Sequence, residues 1–345
     1  MFRETYSFDD ILLVPRYSSL ESRSLCNVSM GRYDLPIVMS PMDTVTTPEM
    51  IKYFIDNKLM ATLHRYFNSA EEQFDYVKIL NISEIFFAVG SIKKSSEWVD
   101  YLLRQGVKKF CIDMAHGDSQ LCVDTIKYIK DISPYGKIMA GNVVTKSGFG
   151  RLQDAGADYI RVGIGCGSIC STRTSTGFGL SQGTSIEDCA SRKTSAKIIA
   201  DGGIKTNGDI AKAIALGADY VMLGKMLAGT SLASGELYDK NKEIIPEKIK
   251  LRDIDKYDCS ALYKEYYGMA SKKAREGVLS YASIEGVSGL IPYAGETSEF
   301  IKNLKLNLKA SMSYCGVKTW EEFKRKVKIV YVSNSGLMES QTHVI

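Results

Sequence analysis

Eight short apolar runs at similar intervals constrain the fold of this chain more than any other feature. They are LPIVMS (35–40), LMATL (59–63), IFFAVG (85–90), KFCIDM (109–114), KIMAG (137–141), YIRVG (159–163), KIIADG (197–202) and YVMLG (220–224). They are apolar along their length rather than alternating, the pattern of parallel strands covered on both faces. Helical patterns lie between them. One is EEQFDYVKIL, in a helix expected from Ser69 to about Leu80. Another is DIAKAIALGA, which opens after Thr206 and Asn207 as candidate caps. Two segments are near copies, GADYIRVG (156–163) and GADYVMLG (217–224). In each, a helix ends at glycine and a strand follows at once. Eight such units predict a (β/α)8 barrel. A doubly wound sheet is the alternative, but it would show five or six strands and a phosphate loop after the first. Here the glycines cluster after the sixth, seventh and eighth runs.

The rest of the chain arranges itself around that barrel. Residues 1–34 precede the first strand and are expected to cover the barrel bottom. Residues 228–290 form a polar insertion after the eighth strand, followed by the helix-like SEFIKNLKLNLKASM and a tail ending in QTHVI. A long insertion at the C-terminal ends of the strands suits a lid. All 345 residues are therefore expected to form a single barrel domain with a lid and no second domain.

Charge and cysteine usage narrow the function. Lys plus Arg total 44 and Asp plus Glu 40, interleaved, for a net charge of +4. That is no nucleic-acid footprint, although a few lysines could serve an anionic small molecule. No apolar stretch approaches the ~20 residues of a membrane span, and MFRETYSFDD has no apolar signal region. The eight cysteines include no CxxC pair. This argues against a zinc knuckle or disulfide scaffold and for a reducing, cytoplasmic setting. The three histidines (His64, His116, His343) have no metal-ligand spacing.

The loops after barrel strands build the active site. The sixth carries GIGCGSICSTRTSTGFG (163–179), with Ser168, Cys170, Thr172, Arg173 and Thr176 among glycines. Glycine allows close backbone approach to a ligand. Cys170, beside an arginine, is a candidate low-pKa nucleophile; the competing reading is a small buried hydrophobe, and Cys166 is hard to tell from it. The next two loops carry Asp201-Gly202-Gly203 and Gly224-Lys225, either plain turns or a backbone phosphate cradle. Asp201 at a strand end could accept from ribose hydroxyls.

These residues resemble the IMP dehydrogenase/GMP reductase family. The resemblance rests on GIGCGSICSTR, on IADGGIKTNGDIAKAIALGADYVMLGKMLAG (199–229), and on SFDDILLVP, MSPMDTVTTPEM, MAGNVVT and YYGMAS, in order along nearly the whole chain. It implies a (β/α)8 barrel, usually a homotetramer, that binds a purine nucleoside monophosphate (GMP or IMP), a nicotinamide dinucleotide and often K⁺. It also implies a cysteine, here Cys170, that attacks purine C2. Three features resemble the reductase branch. Only Ala270 through Ile284 separate Met269 from Glu285, too few for the dehydrogenase flap, and the adjacent Arg-Tyr pair of that flap is absent. Thr176-Gly177, DMAHG, ESRS and YKEYYGMAS also look like reductase. SPMDTV, ADGGI, AGT and the tail SGLMES (335–340) look more like the dehydrogenase. The branch implied is the reductase, which takes GMP and NADPH to IMP and ammonia.

The reductase resemblance implies roles. Cys170 is the nucleophile, and Thr172 and Glu285 form a proton relay to the leaving ammonia. Ser168, Asp201, Gly202, Gly203, Gly224, Lys225, Gly268, Met269, Ala270 and Ser271 surround the nucleotide. Ser22, Arg23, Arg65, Asp113, Met114 and Ala115 contact NADPH, with Arg23 suited to a 2′-phosphate and possible across a subunit boundary. Gly165, Gly167, Cys170 and Arg173 match the K⁺ loop. Ala282 stands where many reductases carry an arginine. The family's regulatory modules, inserted after the second βα unit, have no counterpart here.

Overall fold

The computed structural model describes residues 2–245, 262–268 and 286–340. Its core is a sheet of eight parallel strands: β2 (Ile37–Met39), β3 (Ala61–Leu63), β4 (Ile85–Val89), β5 (Lys109–Asp113), β6 (Lys137–Val143), β7 (Tyr159–Val162), β8 (Lys197–Asp201) and β9 (Tyr220–Leu223). The spatial order is β2-β9-β8-β7-β6-β5-β4-β3. The two ends meet through a parallel bridge between Val38 and Met60, with Met39 N donating to Met60 O at 3.1 Å. Each of the eight apolar runs is a strand of one (β/α)8 barrel, and the doubly wound alternative is excluded. The strands are apolar on both faces because one face fills the barrel and the other meets the helices. Ile37, Phe86, Phe110, Ile160 and Ile198 are fully buried.

Local chemistry explains the helices. Thr206 caps α8 (Asn207–Ala215) reciprocally with Asp209, so Thr206 is the cap and Asn207 already lies in the first turn. The helix expected from Ser69 to Leu80 is shorter. Ser69 caps α2 (Ala70–Asp75), after which Val77 N bonds Phe74 O and Leu80 N bonds Val77 O. These tighter turns let Val77 bury completely. The helix Thr297–Cys315 buries Ile301, Leu304, Leu308, Met312 and Cys315, one stripe at three- and four-residue steps, against α8.

The N-terminal segment does only part of what was expected. Residues 30–33 cover the barrel bottom: the Tyr220 hydroxyl donates to Met30 O at 3.1 Å, and Tyr33 meets Tyr220 edge-on at 5.9 Å. Residues 3–14 instead run along the outside. Tyr6 bonds Glu187 at 2.8 Å on α7 (Gln182–Ala190), and Lys212 of α8 donates to Phe8 O at 2.8 Å. The physical reason is strand pairing. β1 (Ile11–Val14) satisfies its backbone against the antiparallel β13 (Lys328–Tyr331) near the chain's end.

The insertion after β9 contributes a three-stranded antiparallel sheet, β10 (Leu237–Tyr238), β11 (Tyr263–Tyr267) and β12 (Ser288–Pro292), ordered β10-β11-β12. Buried Lys264 fastens it to the buried start of the insertion, just after the eighth barrel strand. Its ammonium donates to Thr230 O at 3.1 Å and to Ala233 O. Tyr267 donates to Asp43 Oδ2 at 2.9 Å, in the segment after β2.

Candidate active site

A cavity of about 510 Å³ opens at the C-terminal ends of β2, β7, β8 and β9. Tyr266, Gly268 and Gly286 of the inserted sheet border it. It brings together Ser168, Cys170, Asp201, Gly202, Gly203, Gly224, Lys225, Gly268 and Asp113, residues far apart in the chain.

Burial separates the two thiols of the sixth loop. Cys170 is exposed, with its sulfur 3.1 Å from the Thr172 hydroxyl. Cys166 lies 3.3 Å from Gln182 Oε1 and 3.2 Å from Asp201 O. Burial, reinforced by the Asp201 charge, pushes the Cys166 thiol up to about 12, so it keeps its proton. Of the two, only Cys170 combines access with a hydroxyl neighbour. Cys170 also bridges Gly286 of the inserted segment, and Val287 N donates to Ile169 O at 3.0 Å. Glu285, Met269, Ala270, Ser271 and Ala282 lie outside the described residues.

Behind the cavity is a charge chain that the sequence did not suggest. Arg161, 6% exposed, projects from β7. It donates to Asp113 Oδ1 at 2.6 Å and to Asp201 Oδ2 at 2.8 Å. Asn142 adds a bond to Asp201 Oδ2 at 2.8 Å, and Arg65 stands 3.5 Å from Asp113. Burial works against ionisation of Asp113, but Arg161 and Arg65 outweigh it and hold its carboxyl below the usual range. The chain thus presents two oriented carboxylates, one from the end of β5 and one from the end of β8. One signal for Arg161 was available: a charged residue inside the apolar run YIRVG. Tyr266 was also missed. Its hydroxyl donates to the Met42 sulfur at 3.8 Å, and burial pushes it up to about 12, leaving a proton donor at the Gly224 side of the cavity.

The remaining expected contacts scatter. Ser22 caps a short turn, and Arg23 lies 5.6 Å over the Tyr314 ring near the C-terminal end of the helix 297–315. That helix starts beside Thr230 at the cavity end, so this chain's own Ser22 and Arg23 sit toward the opposite end of the barrel. Met114 pairs by its backbone with Gly141 and Asn142, and neither it nor Ala115 lines the cavity. His64 is buried and stacked on Phe67 at 4.4 Å.

Comparison with known proteins assigns this architecture. The model of the IMP dehydrogenase / GMP reductase domain matches residues 5–245 and 253–343. The chain belongs to the IMP dehydrogenase/GMP reductase family. A GMP reductase of Lactobacillus delbrueckii subsp. bulgaricus is 33% identical over 342 residues, 96% of each chain. A GMP reductase of Staphylococcus carnosus is 32% identical over 340 residues, 96% of this chain and 97% of its own. An inosine-5′-monophosphate dehydrogenase of Chlorobaculum parvum is 41% identical over 261 residues, 74% of this chain but 51% of its own.

The loop residues can be tested against the K⁺ that this family resemblance implies. Gly165, Gly167 and Cys170 could offer carbonyl oxygens, and Gly167 O already accepts from Cys170 N at 3.1 Å. Arg173 belongs to that set through its backbone alone, since its guanidinium packs on Gly165 and donates to Leu180 O at 2.6 Å. Among the described residues no cluster of His, Cys, Asp and Glu could hold a metal ion. No helix among them is long and apolar enough to cross a membrane.

Proposed function

We propose that this chain is a GMP reductase, converting GMP to IMP with release of ammonia at the expense of NADPH. The observation that carries the reading is the end-to-end match to relatives named GMP reductase, 96% of both chains, where the matched dehydrogenase is covered over 51% of its length. The short connection between Met269 and Glu285 supports it, since hydrolysis of a covalent intermediate needs a water activator and ammonia loss needs a proton donor.

In this reading the Cys170 thiolate adds to C2 of GMP. The Thr172 hydroxyl, 3.1 Å from the sulfur, and Glu285 pass a proton to the exocyclic nitrogen. Ammonia leaves, and a covalent thioimidate on Cys170 remains. NADPH, when bound, supplies the hydride to C2. The thiolate then departs and IMP is complete. Asp201, held by Arg161 and Asn142, accepts from the ribose hydroxyls. The Gly202-Gly203 and Gly224-Lys225 loops, Ser168 and Tyr266 take the 5′-phosphate, and Gly268 with Met269, Ala270 and Ser271 borders the base. Arg65 and Asp113 flank the nicotinamide side. Ser22 and Arg23 reach a dinucleotide only from another subunit of a tetramer. In this reading the chain is one barrel domain with a lid, and its chemistry suits the reducing cytoplasm, which keeps Cys170 a thiol.

Purified protein given GMP and NADPH should lose the reduced-nicotinamide absorbance and release one ammonia per turnover. Cys170→Ala should abolish both. The identity to the dehydrogenase favours a second reading, IMP oxidation with NAD⁺. NADH formation from IMP, with no turnover of GMP, would establish it instead.

A further inference from the structure

Two side chains that this chemistry does not use sit between the two glycine-rich loops. Gln182 opens α7 and is 2% exposed. Its amide donates to Val162 O at 2.8 Å and to Asp201 O at 3.3 Å, the last residues of β7 and β8. The Cys166 thiol reaches the same carbonyl, Asp201 O, at 3.2 Å, and Gln182 Oε1 at 3.3 Å. One carbonyl is thus held from two sides. The backbone leaves little slack. A side chain at Gly163 would strike Asp201 O and come within 2.8 Å of Gln182 Oε1. One at Gly202 would come within 2.7 Å of the Cys166 sulfur.

We infer that Gln182 and Cys166 are positioning residues that set the distance between the Cys170 loop and the Asp201–Gly203 loop. The inference rests on the nucleotide reading above. In that reading the attacking sulfur belongs to one loop and the ribose and phosphate contacts to the other. Cys170 N bonds Gly167 O at 3.1 Å, so a shift at Cys166 travels to Cys170 within one turn. Reacting groups tolerate little misplacement, and an error of ~1 Å can cost on the order of a hundredfold in rate. Gln182 does not line the cavity, so it acts on this spacing only through the strand ends it holds.

The test compares Cys166→Ala, which removes the donor, with Cys166→Ser, which restores one. Two readings are taken on each: GMP affinity by calorimetry, and the alkylation rate of Cys170 in ligand-free protein with iodoacetamide. The second is read by fragmenting the tryptic peptide Val162–Arg173, which contains both cysteines. Cys166→Ala should weaken GMP binding and speed Cys170 alkylation, each about fivefold, the scale of one lost hydrogen bond. Cys166→Ser should return both to within about twofold of the parent. Gln182→Met should act in the same direction as Cys166→Ala; if it fails to fold, the cysteine pair still decides. Parent-like values in Cys166→Ala, or equal impairment in Cys166→Ser, would overturn the inference. If the parent binds no GMP, the reductase reading fails, and the alkylation rates still judge the tether.

Discussion

Each residue's role here follows from the atoms around its side chain. Cys166 and Cys170 share a loop, yet one half-buried sulfur is held by two carbonyl oxygens and the other is exposed beside a hydroxyl. His64 shows the same effect on a titratable ring. Burial lowers its pKa from 6.5 to about 4, and its Nδ1 accepts from Tyr66 N at 3.1 Å. Between those values the unfolded chain binds a proton that the folded one rejects. The stabilisation is therefore complete above pH 6.5 and is lost as pH falls toward 4. It amounts to up to about 3 kcal/mol. His64→Phe keeps the stack on Phe67 and should flatten the urea-unfolding free energy across that window. A pH profile parallel to the parent's would show that His64 does not control it.

At the scale of elements, periodicity and caps account for most of what formed. Strands appeared where runs were apolar throughout, because both faces are covered. Ser69, Thr145 and Thr206 start helices where their side chains accept the first free amides. The expectations that changed depended on distant partners. The end of α2 is set by burial of Val77, and the path of residues 3–14 by a strand more than three hundred positions later. The inserted sheet behaves as a unit fastened by Lys264. Lys264→Met removes donors to Thr230 O and Ala233 O, so the amides of β11 and β12 should exchange with deuterium about tenfold faster. The barrel strands should keep their protection. An equal change in both sheets would mean that Lys264 stabilises the fold rather than the lid.

At the scale of the whole molecule, the position of Arg23 carries a consequence. In its own chain it packs on Tyr314, toward the end of the barrel away from the cavity. If it serves a 2′-phosphate, that cavity belongs to another subunit. Arg23→Ala should then raise the KM for NADPH with little change in kcat. Mixing and re-assembling Arg23→Ala with Cys170→Ala subunits should restore activity that neither has alone at low NADPH. No recovery on mixing would assign Arg23 a purely structural place.

The sequence by itself determined the barrel, its eight strands, the family and the loops that line the cavity. These are written in local periods and short motifs, and each is enforced by neighbours a few residues away. Only the tertiary structure decided which thiol is accessible, that Arg161 joins Asp113 to Asp201, that Tyr266 reaches Met42, and that Gln182 ties β7 to β8. Those facts depend on burial and on contacts between residues at least 19 positions apart in the chain. They came into being only when the sheet closed and brought its C-terminal ends around one cavity.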